Sequence, residues 1–512
     1  MICRSGSVSV VVEPADSRPA SLAAALVVIG GMVTLILLSI VLFGEGAEDG
    51  PLQVAMTLGL TLAMVISMAS GFSAEDLSAS ASKSINSALG TIFVLLAVGA
   101  LIGALFLSGT IASVIYYGAE FGTPRILYIL VFVVASALSY AIGSSFTTIA
   151  AVGLPFVALA SAMEVSPVIT AAAAVAGAFT GDSLGRISDT FILTAAVVGV
   201  KPKDHQRSLA MVLAPGWVVS AVVFIVLGFR DGSGNGFDSG PVREAIESQF
   251  WVSPIALLPL VIVLVLSART TAFLTLMAGA ISAVVLAGIT QGDLISQLMS
   301  GENLNGFAQW AKLSLESLGN GFELVSGSEQ LDETFSGGGV VSMLNTIWLI
   351  LVAAAFGAMV DHTGMLQRVL APLISWAQTS GRLIAATAVT SIGLNATTAD
   401  PYMSIILGST TYRKQFMRSR LKPHAESVSI AGSGSIFSPL IPWNVHGAFV
   451  AGTLGIAVLE YAQYAVLLWI TPIFLIVFGL IKFSNDELPP EETAQDSYGD
   501  EPAELPERRT SV

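Results

Sequence analysis

The sequence predicts an all-α polytopic membrane protein made of two inverted repeats, with about ten full spans and two re-entrant hairpins with broken helices at the bilayer midplane. Of the 512 residues, 54% are hydrophobic and only 11% are charged, against roughly 25% charged in soluble domains. Apolar runs close to the ~20 residues that a helix needs to cross a bilayer recur from end to end. The two halves also match each other at a constant spacing, with opposite charge in equivalent loops.

A dozen apolar runs make up the membrane part of the chain. They are 22–43, 51–70, 88–107, 126–162, 168–200, 208–229, 252–266, 271–289, 343–360, 383–411, 427–455 and 463–482. The first run is longer than the core of a signal peptide, and no small-x-small cleavage site follows it at 44–46. We therefore interpret it as the first span.

Small and polar residues interrupt several runs where a plain span would be apolar. The interrupted stretches are 143–148, 181–190, 397–402 and 438–444, with shorter breaks at 108–109 and 363–364. Non-helical backbone at membrane depth survives only inside protein or beside a water-filled cavity. The interruptions are therefore the natural place to look for a transport site.

The interruptions form pairs because the sequence repeats itself. A constant shift of 255 residues aligns Gly109 with Gly364, Gly153 with Gly408, Ser183 with Ser438, and Asp189 with Asn444. One match between small or apolar residues means little in a membrane sequence. A single offset kept over about 100 residues indicates an internal duplication.

Basic residues give the orientation. They cluster in the short loops 201–207 and 413–422, which the positive-inside rule places in the cytoplasm. The equivalent loops carry Glu460 and Glu164 instead, so the second repeat is expected to be inverted, as in many secondary transporters. Both termini are then cytoplasmic, and the protein is expected in the inner cell membrane.

This topology divides the chain into five parts. They are a cytoplasmic segment 1–21, a first repeat 22–230, an external loop 231–251, a second repeat 252–483 with an acidic external loop 291–340, and an acidic cytoplasmic tail 484–512. The runs 126–162 and 383–411 begin and end on the same side, so we interpret them as re-entrant hairpins with tips near Ser145 and Asp400. The runs 168–200 and 427–455 are single crossings, unwound in the middle.

The break at 181–190 contains the residue types that cation exchange requires. Unwound backbone offers carbonyl oxygens to a dehydrated Na⁺, and helix N-termini favour an anionic group. Asp182 and Asp189 flank this break, and Asp400 lies in the facing hairpin. The candidate oxygen ligands beside them are Ser183, Ser188 and Thr190. A buried carboxylate is protonated nearer neutral pH, so one acid can bind either a proton or a cation, which is a minimal antiport mechanism.

Each of these residues also has a structural interpretation. A carboxylate near a span can cap a half-helix, and Arg186 can neutralise either flanking aspartate or contact a substrate carboxylate. His446 can relay protons or be a packed neutral histidine. Trp443 and Asn444 are expected to form part of the site, since asparagine coordinates sodium without titrating. We place the transported Na⁺ at Asp189 and Asn444, with no other metal.

These motifs resemble the NhaC family of sodium/proton antiporters. The segment G-D-S-L-G-R-I-S-D-T at 181–190 resembles the family signature G-D-x-x-S-P-x-S-D-T. The segment S-P-L-I-P-W-N-V-H-G-A-F at 438–449 resembles its second signature, and T-A-D-P-Y at 398–402 is similar to its T-A-D-Q-Y segment. The resemblance covers roughly residues 88–482 and adds Thr398 and Ser438 to the candidate site.

The resemblance implies an inverted-repeat ion-transporter fold and exchange of Na⁺ for H⁺. One departure concerns the substrate: Gly185–Arg186 replaces the Ser-Pro of many family members. A fixed positive charge there keeps open the alternative of amino-acid or organic-acid exchange, such as arginine for ornithine or malate for lactate. Three aspartates would bind an ammonium or guanidinium group as readily as sodium.

Other classes of protein find less support. Re-entrant hairpins also build channel filters, but unequal inverted halves with titratable acids favour alternating access. Residues 179–182 lack the Gly-x-Gly-Asp spacing of an intramembrane protease, and the chain has no His-Glu-x-x-His motif or phosphate-binding loop. We therefore expect no enzyme activity, no cofactor and no nucleic-acid partner. A homodimer is expected only by analogy with elevator-type transporters.

Overall fold

The computed structural model describes residues 20–121, 123–232, 239–301 and 303–481. Nearly all of the predicted N-terminal segment and the whole acidic tail lie outside these ranges. The described residues are mostly helical, and an isolated β-bridge joins Phe322 to Gly337. The predicted all-α fold is confirmed.

The first half of the chain forms ten helices, and two more connect it to the second half. They are α1 (Leu22–Phe43), α2 (Pro51–Ala69), α3 (Ala74–Leu107), α4 (Thr110–Phe121), α5 (Pro124–Ile142), α6 (Ser145–Thr148), α7 (Leu154–Ala162), α8 (Pro167–Leu184), α9 (Asp189–Val198), α10 (Pro202–Asp231), α11 (Ser239–Gln249) and α12 (Leu258–Ser267). A π-helical turn, Ile149–Gly153, joins α6 to α7.

The second half begins with α13. Its helices are α13 (Ala272–Thr290), α14 (Gly292–Leu298), α15 (Gly306–Gly319), α16 (Glu329–Thr334), α17 (Leu344–His362), α18 (Met365–Trp376), α19 (Ser380–Thr398), α20 (Pro401–Arg418), α21 (Pro423–Ile430), α22 (Val445–Leu454), α23 (Val458–Ala462) and α24 (Val466–Leu480). A π-helical turn, Ala431–Ser435, and a 3₁₀ turn, Ser438–Leu440, follow α21. Helices α14 to α16 lie within the predicted external loop 291–340.

Nine helices of the described chain are long and apolar enough to cross a membrane, or ten if the bent pair Ser239–Gln249 and Pro254–Ser267 counts as one span. The protein is therefore a multi-pass membrane protein. Both arms of the first predicted hairpin, α5 and residues Ser145–Ala162, are among the nine. Their counterparts α19 and α20 have 19 and 18 residues. That each hairpin returns to its starting side stays a prediction.

Helices α3 and α17, which are equivalent in the two repeats, run antiparallel. Near the start of α3, the ring of Phe72 lies 6.0 Å from that of His362, the last residue of α17, and Ser80 Oγ donates to Ala358 O at 3.2 Å. Towards the other end of α3, the N–H of Gly339, which precedes α17, donates to Gly99 O at 2.7 Å. Equivalent helices of opposite direction are what inverted repeats require.

The helix boundaries fix the register of the repeat. Helices α4 and α18 begin 255 residues apart, at Thr110 and Met365. From α5 onward the spacing is 256, so that α9 and α22 begin at Asp189 and Val445. The linker before α19 is one residue longer than the linker before α5.

The predicted pairing at the breaks is therefore wrong by one residue. The structural counterpart of Asn444 is Ser188, because each is the N-cap of the helix that follows its break. The counterpart of Ser438 is Asp182 rather than Ser183. A one-residue insertion in a linker is invisible to sequence matching when small residues match by chance.

Two glycines bring α5 and α8 into backbone contact. A Cβ atom at Gly177 would lie 2.4 Å from Phe132 O, and one at Gly181 would lie 2.4 Å from Ser136 O. Small residues at such an interface let membrane helices approach closely. This contact holds the end of α8, with Asp182, against the hairpin that starts with α5.

Candidate ion-binding site at the helix breaks

The first break separates α8 from α9 at residues 185–188. Ser188 has extended backbone and caps α9, because its Oγ accepts a hydrogen bond from Phe191 N at 3.5 Å. The tip of the first hairpin packs directly against this break: a Cβ at Gly143 would lie 2.9 Å from Ser188 N. Gly143 has φ +70°, a left-handed conformation that glycine adopts without strain. The hairpin tip and the helix break therefore form one polar region.

Asp182 occupies the last turn of α8, next to this polar region. Its side chain is 7% exposed, and its Oδ2 accepts a hydrogen bond from Ser145 Oγ at 3.1 Å. The hydroxyl of Ser188 also lies near this carboxylate. Because a buried ion needs compensation by charge or several hydrogen bonds, a carboxylate held by neutral hydroxyls is well placed to take up a proton or a cation.

The second break separates the 3₁₀ turn after α21 from α22, and it packs against the second hairpin. Asn444 is fully buried and caps α22, its Oδ1 accepting from His446 N at 3.0 Å. Asn444 Nδ2 donates to Asn395 Oδ1 at 3.1 Å, and Trp443 Nε1 donates to Ala396 O at 2.6 Å. The conspicuous W-N pair of the sequence thus connects the break to α19.

Asp400 caps α20, the second arm of that hairpin. It is buried, and its Oδ1 accepts from Tyr402 N at 2.8 Å. Thr398 donates its Oγ1 hydrogen to Leu394 O at 2.8 Å. The helix-capping interpretation therefore applies to one oxygen of Asp400. In the 256 register, Asp400 is the counterpart of Ser144, which caps α6 in the same way.

His446 lies between the two repeats. Its Nδ1 is 2.5 Å from Ser438 Oγ, and its ring packs on Phe179 and Phe146 with centroid distances of 4.9 and 5.4 Å. Phe146 follows Ser145, the hydrogen-bond donor to Asp182. The imidazole therefore connects the second break to the tip of the first hairpin.

The remaining predicted residues of the first break differ in exposure. Ser183, Ser188 and Thr190 are buried, and Ser188 Oγ lies 3.1 Å from Thr190 Oγ1. Arg186 and Asp189 are exposed, and Arg186 Nε donates to Gln206 Oε1 at 2.8 Å. The two residues chosen for Na⁺ thus have different surroundings, since Asn444 is buried against Asn395.

Sequence reasoning missed Asn395. This fully buried amide on α19 donates from Nδ2 to Ser404 Oγ at 2.8 Å and accepts from Asn444. It therefore links both arms of the second hairpin to the second break. An asparagine inside the apolar run 383–411 was the available signal, because a buried amide in a span has to find partners.

The donor set of this region consists of oxygen atoms. Hydroxyls, carboxylates and amide oxygens suit a hard cation such as Na⁺. No grouping of three or more His, Cys, Asp or Glu side chains occurs within the described ranges. The region is therefore built for ions bound by a few hydroxyl, amide and carboxylate oxygens.

Comparisons with known proteins agree with this chemistry. A family model described as the Na⁺/H⁺ antiporter family matches residues 7–229 and 187–483. The Na⁺/H⁺ antiporter NhaC of Alkalihalophilus pseudofirmus is 31% identical over 76% of this chain and 81% of its own.

Two relatives with other names align over more of the chain. The arginine/ornithine antiporter ArcD of Halobacterium salinarum is 29% identical over 94% of this chain and 96% of its own. The malate-2H⁺/Na⁺-lactate antiporter of Bacillus subtilis is 26% identical over 91% and 95%. With the family model matching most of its length, this chain belongs to the Na⁺/H⁺ antiporter family.

Proposed function

We propose that this protein exchanges Na⁺ for H⁺ across the inner cell membrane, using Asp182 as the shared binding group. The observation that carries the proposal is the buried Asp182 carboxylate, hydrogen-bonded by Ser145 of the hairpin tip beside a helix break. A buried carboxylate is stable when neutralised by a proton or by a cation. Because one carboxylate cannot hold both at once, binding of either ion expels the other.

The surrounding residues have distinct roles in this proposal. Ser145 and Ser188 supply hydroxyl oxygens next to Asp182, and the buried Ser183 and Thr190 lie in the helices on either side of the same break. At the second break, Asp400 with Thr398 and Asn444 form a second oxygen-rich group. The pair of Ser438 and His446 connects the two groups across the repeat interface. Trp443 anchors the second break to α19.

Two contacts support the proposed assignment of segments to the same side of the membrane, and the cytoplasmic position of both termini is proposed from the basic clusters. Ala20 N donates to Thr363 O at 3.1 Å, which joins two segments predicted to be cytoplasmic. Val458 N donates to Glu48 Oε1 at 3.0 Å, which joins two loops predicted to be external. A homodimer remains part of the proposal by analogy alone.

The test uses purified protein in liposomes with a trapped pH dye and an imposed Na⁺ gradient. Proton movement that follows Na⁺, and that is lost in Asp182→Asn, is the expected result. The control is Ser248→Ala, at an exposed position of α11 whose Oγ donates only to Ala245 O within the same helix, and it should leave exchange unchanged. A silent dye with correctly inserted wild-type protein would overturn the proposal.

The second candidate is exchange of amino acids or organic acids. Arg186 favours it, because this arginine is exposed at the first break beside Asp189 and contacts Gln206, which gives a solute carboxylate a cationic partner. In the same liposomes, labelled external arginine should then exchange for internal ornithine, or malate for lactate. Arg186→Gln should abolish that exchange, whereas Na⁺/H⁺ exchange by the first mechanism should persist in this variant.

A further inference from the structure

A third buried acid, Glu426, lies on α21, away from the helix breaks. Glu426 is fully buried, and Ser409 Oγ of α20 donates to its Oε1 at 2.6 Å. Its other oxygen, Oε2, has no hydrogen-bond partner among the described residues. Glu426 precedes Ser438 by 12 residues, about 18 Å along a helix at ~1.5 Å per residue. It is therefore separate from the site at the breaks.

The helices around α21 bring few ionisable groups to Glu426. From α20, Arg413 lies one turn after Ser409 and exerts a Coulombic effect on the carboxyl group. The same arginine donates from Nη1 to Val197 O of α9 at 2.9 Å. Asp189, at the start of α9, is the one ionisable residue of that helix.

The other neighbours of α21 are α10 and α19. From α10, the buried His205 approaches through Ser427, with 2.9 Å between Nδ1 and Oγ. The Nε2 atom of His205 has no partner among the described residues. His424 lies on α21 itself, and Arg382 in the first turn of α19 is the charged residue of that helix. Arg413 is thus the charged group that acts on Glu426, and His205 approaches α21 through Ser427.

These surroundings have opposing effects on the two states of the carboxyl group. Burying an ionised carboxylate with one unpartnered oxygen destabilises the folded protein by about several kcal/mol, whereas burying the neutral acid avoids this penalty. The guanidinium of Arg413 and the hydroxyl of Ser409 oppose this by favouring the ionised form. A change in either contact therefore shifts the balance between the protonated and the ionised form.

We propose that Glu426 is a second proton-binding residue of this antiporter, distinct from Asp182 and filled from the cytoplasm. The proton passes from cytoplasmic water to Oε2, and on release it returns from Oε2 to the water. The adjoining segment 413–422, which is the end of α20 and the turn after it, carries the basic cluster that marks the cytoplasmic side. The counterpart of Glu426 in the first repeat is Thr170, so only the second repeat carries this acid. The inference rests on the proposed exchange of Na⁺ for protons.

The direct test is infrared spectroscopy of the purified protein in liposomes during a pH titration. Wild type should show a protonated-carboxyl band that disappears as the pH rises and that Glu426→Gln lacks. Ser409→Ala removes a donor to the ionised form, so the band should persist to a pH about one unit higher. Thr170→Val is the matched control and should leave the band unchanged. Identical titrations of wild type and Glu426→Gln would overturn the inference.

Transport gives the second test. The ion gradients at which net flux stops report how many protons cross per Na⁺, and this number should fall by one in Glu426→Gln. An unchanged ratio in this variant would overturn the inference. If wild type moves no protons with Na⁺, the proposed function fails, and the infrared titration still decides whether Glu426 binds a proton. Ser409→Ala keeps both tests available if Glu426→Gln does not fold.

Discussion

Replacing Ser145 by alanine probes the contact at the centre of the proposed site. The substitution removes the hydroxyl that donates to Asp182 Oδ2 at 3.1 Å and leaves a methyl group of similar size. A hydrogen bond to a charged group contributes about 1.5–3 kcal/mol, and Asp182 is buried, so solvent does not replace the lost donor. At ~1.36 kcal/mol per tenfold change, the proton affinity of Asp182 should rise by about tenfold to a hundredfold.

The pH dependence of exchange measures this effect. Loss of the donor destabilises the ionised carboxylate, so the midpoint of Na⁺-driven proton movement should move upward by about 1–2 pH units. The assay is the initial rate of dye response in liposomes over a series of pH values. Ser161→Ala is the control, because the exposed Ser161 donates its Oγ hydrogen to the Val157 carbonyl within α7. A lower rate with an unchanged midpoint in Ser145→Ala would refute the reasoning.

Two further predictions concern stability. Burial, opposed by the Val458 N–H and helped by the charges of Asp49 and Glu460, raises the pKa of Glu48 to about 7 from 4.5. Between about pH 4.5 and pH 7 the folded protein therefore keeps this proton, whereas the unfolded chain loses it. The free energy of unfolding should consequently fall by about 3 kcal/mol over this range. Thermal unfolding of Glu48→Gln should lack that decline. A Cβ at Gly103 would lie 2.0 Å from the Ser317 carbonyl oxygen, so Gly103→Ala should destabilise the protein by at least about 1–3 kcal/mol. Gly90→Ala on the same helix meets nothing within 4 Å and should not lower the unfolding midpoint. An equal response of both glycine variants, or a pH-independent wild type, would contradict these predictions.

Hydropathy predicted the membrane helices well and their soluble ends poorly. The first run, 22–43, coincides with α1. Helix α3 begins at Ala74 rather than at residue 88, since Ser73 caps a polar extension that contains Glu75, Asp76 and Lys83. Those residues form helix without being apolar, so a search for apolar runs stops short of them.

The sequence locates the polar residues of the breaks but does not say which of them are buried. Asp182, Asp400 and Asn444 are all buried, as a site within the membrane requires. Asp189 has the same residue type and lies in the same motif as Asp182, yet it is exposed. Unwound backbone has no fixed periodicity, so the sequence of a break does not say which side chains face the protein interior.

The contacts between distant segments were beyond sequence reasoning. Asn395 and Asn444 are 49 residues apart and meet only because the second hairpin folds against the second break. Phe146 and His446 are 300 residues apart and meet across the repeats. Neither pair has a local pattern that marks it.

Proton release on sodium binding tests the central claim most directly. Purified protein in weakly buffered solution with a pH dye receives NaCl, with KCl as the matched control. If Na⁺ and a proton compete for Asp182, NaCl should release protons in wild type, KCl should not, and Asp182→Asn should release none. Sodium binding without proton release, or equal release from wild type and Asp182→Asn, would contradict the account.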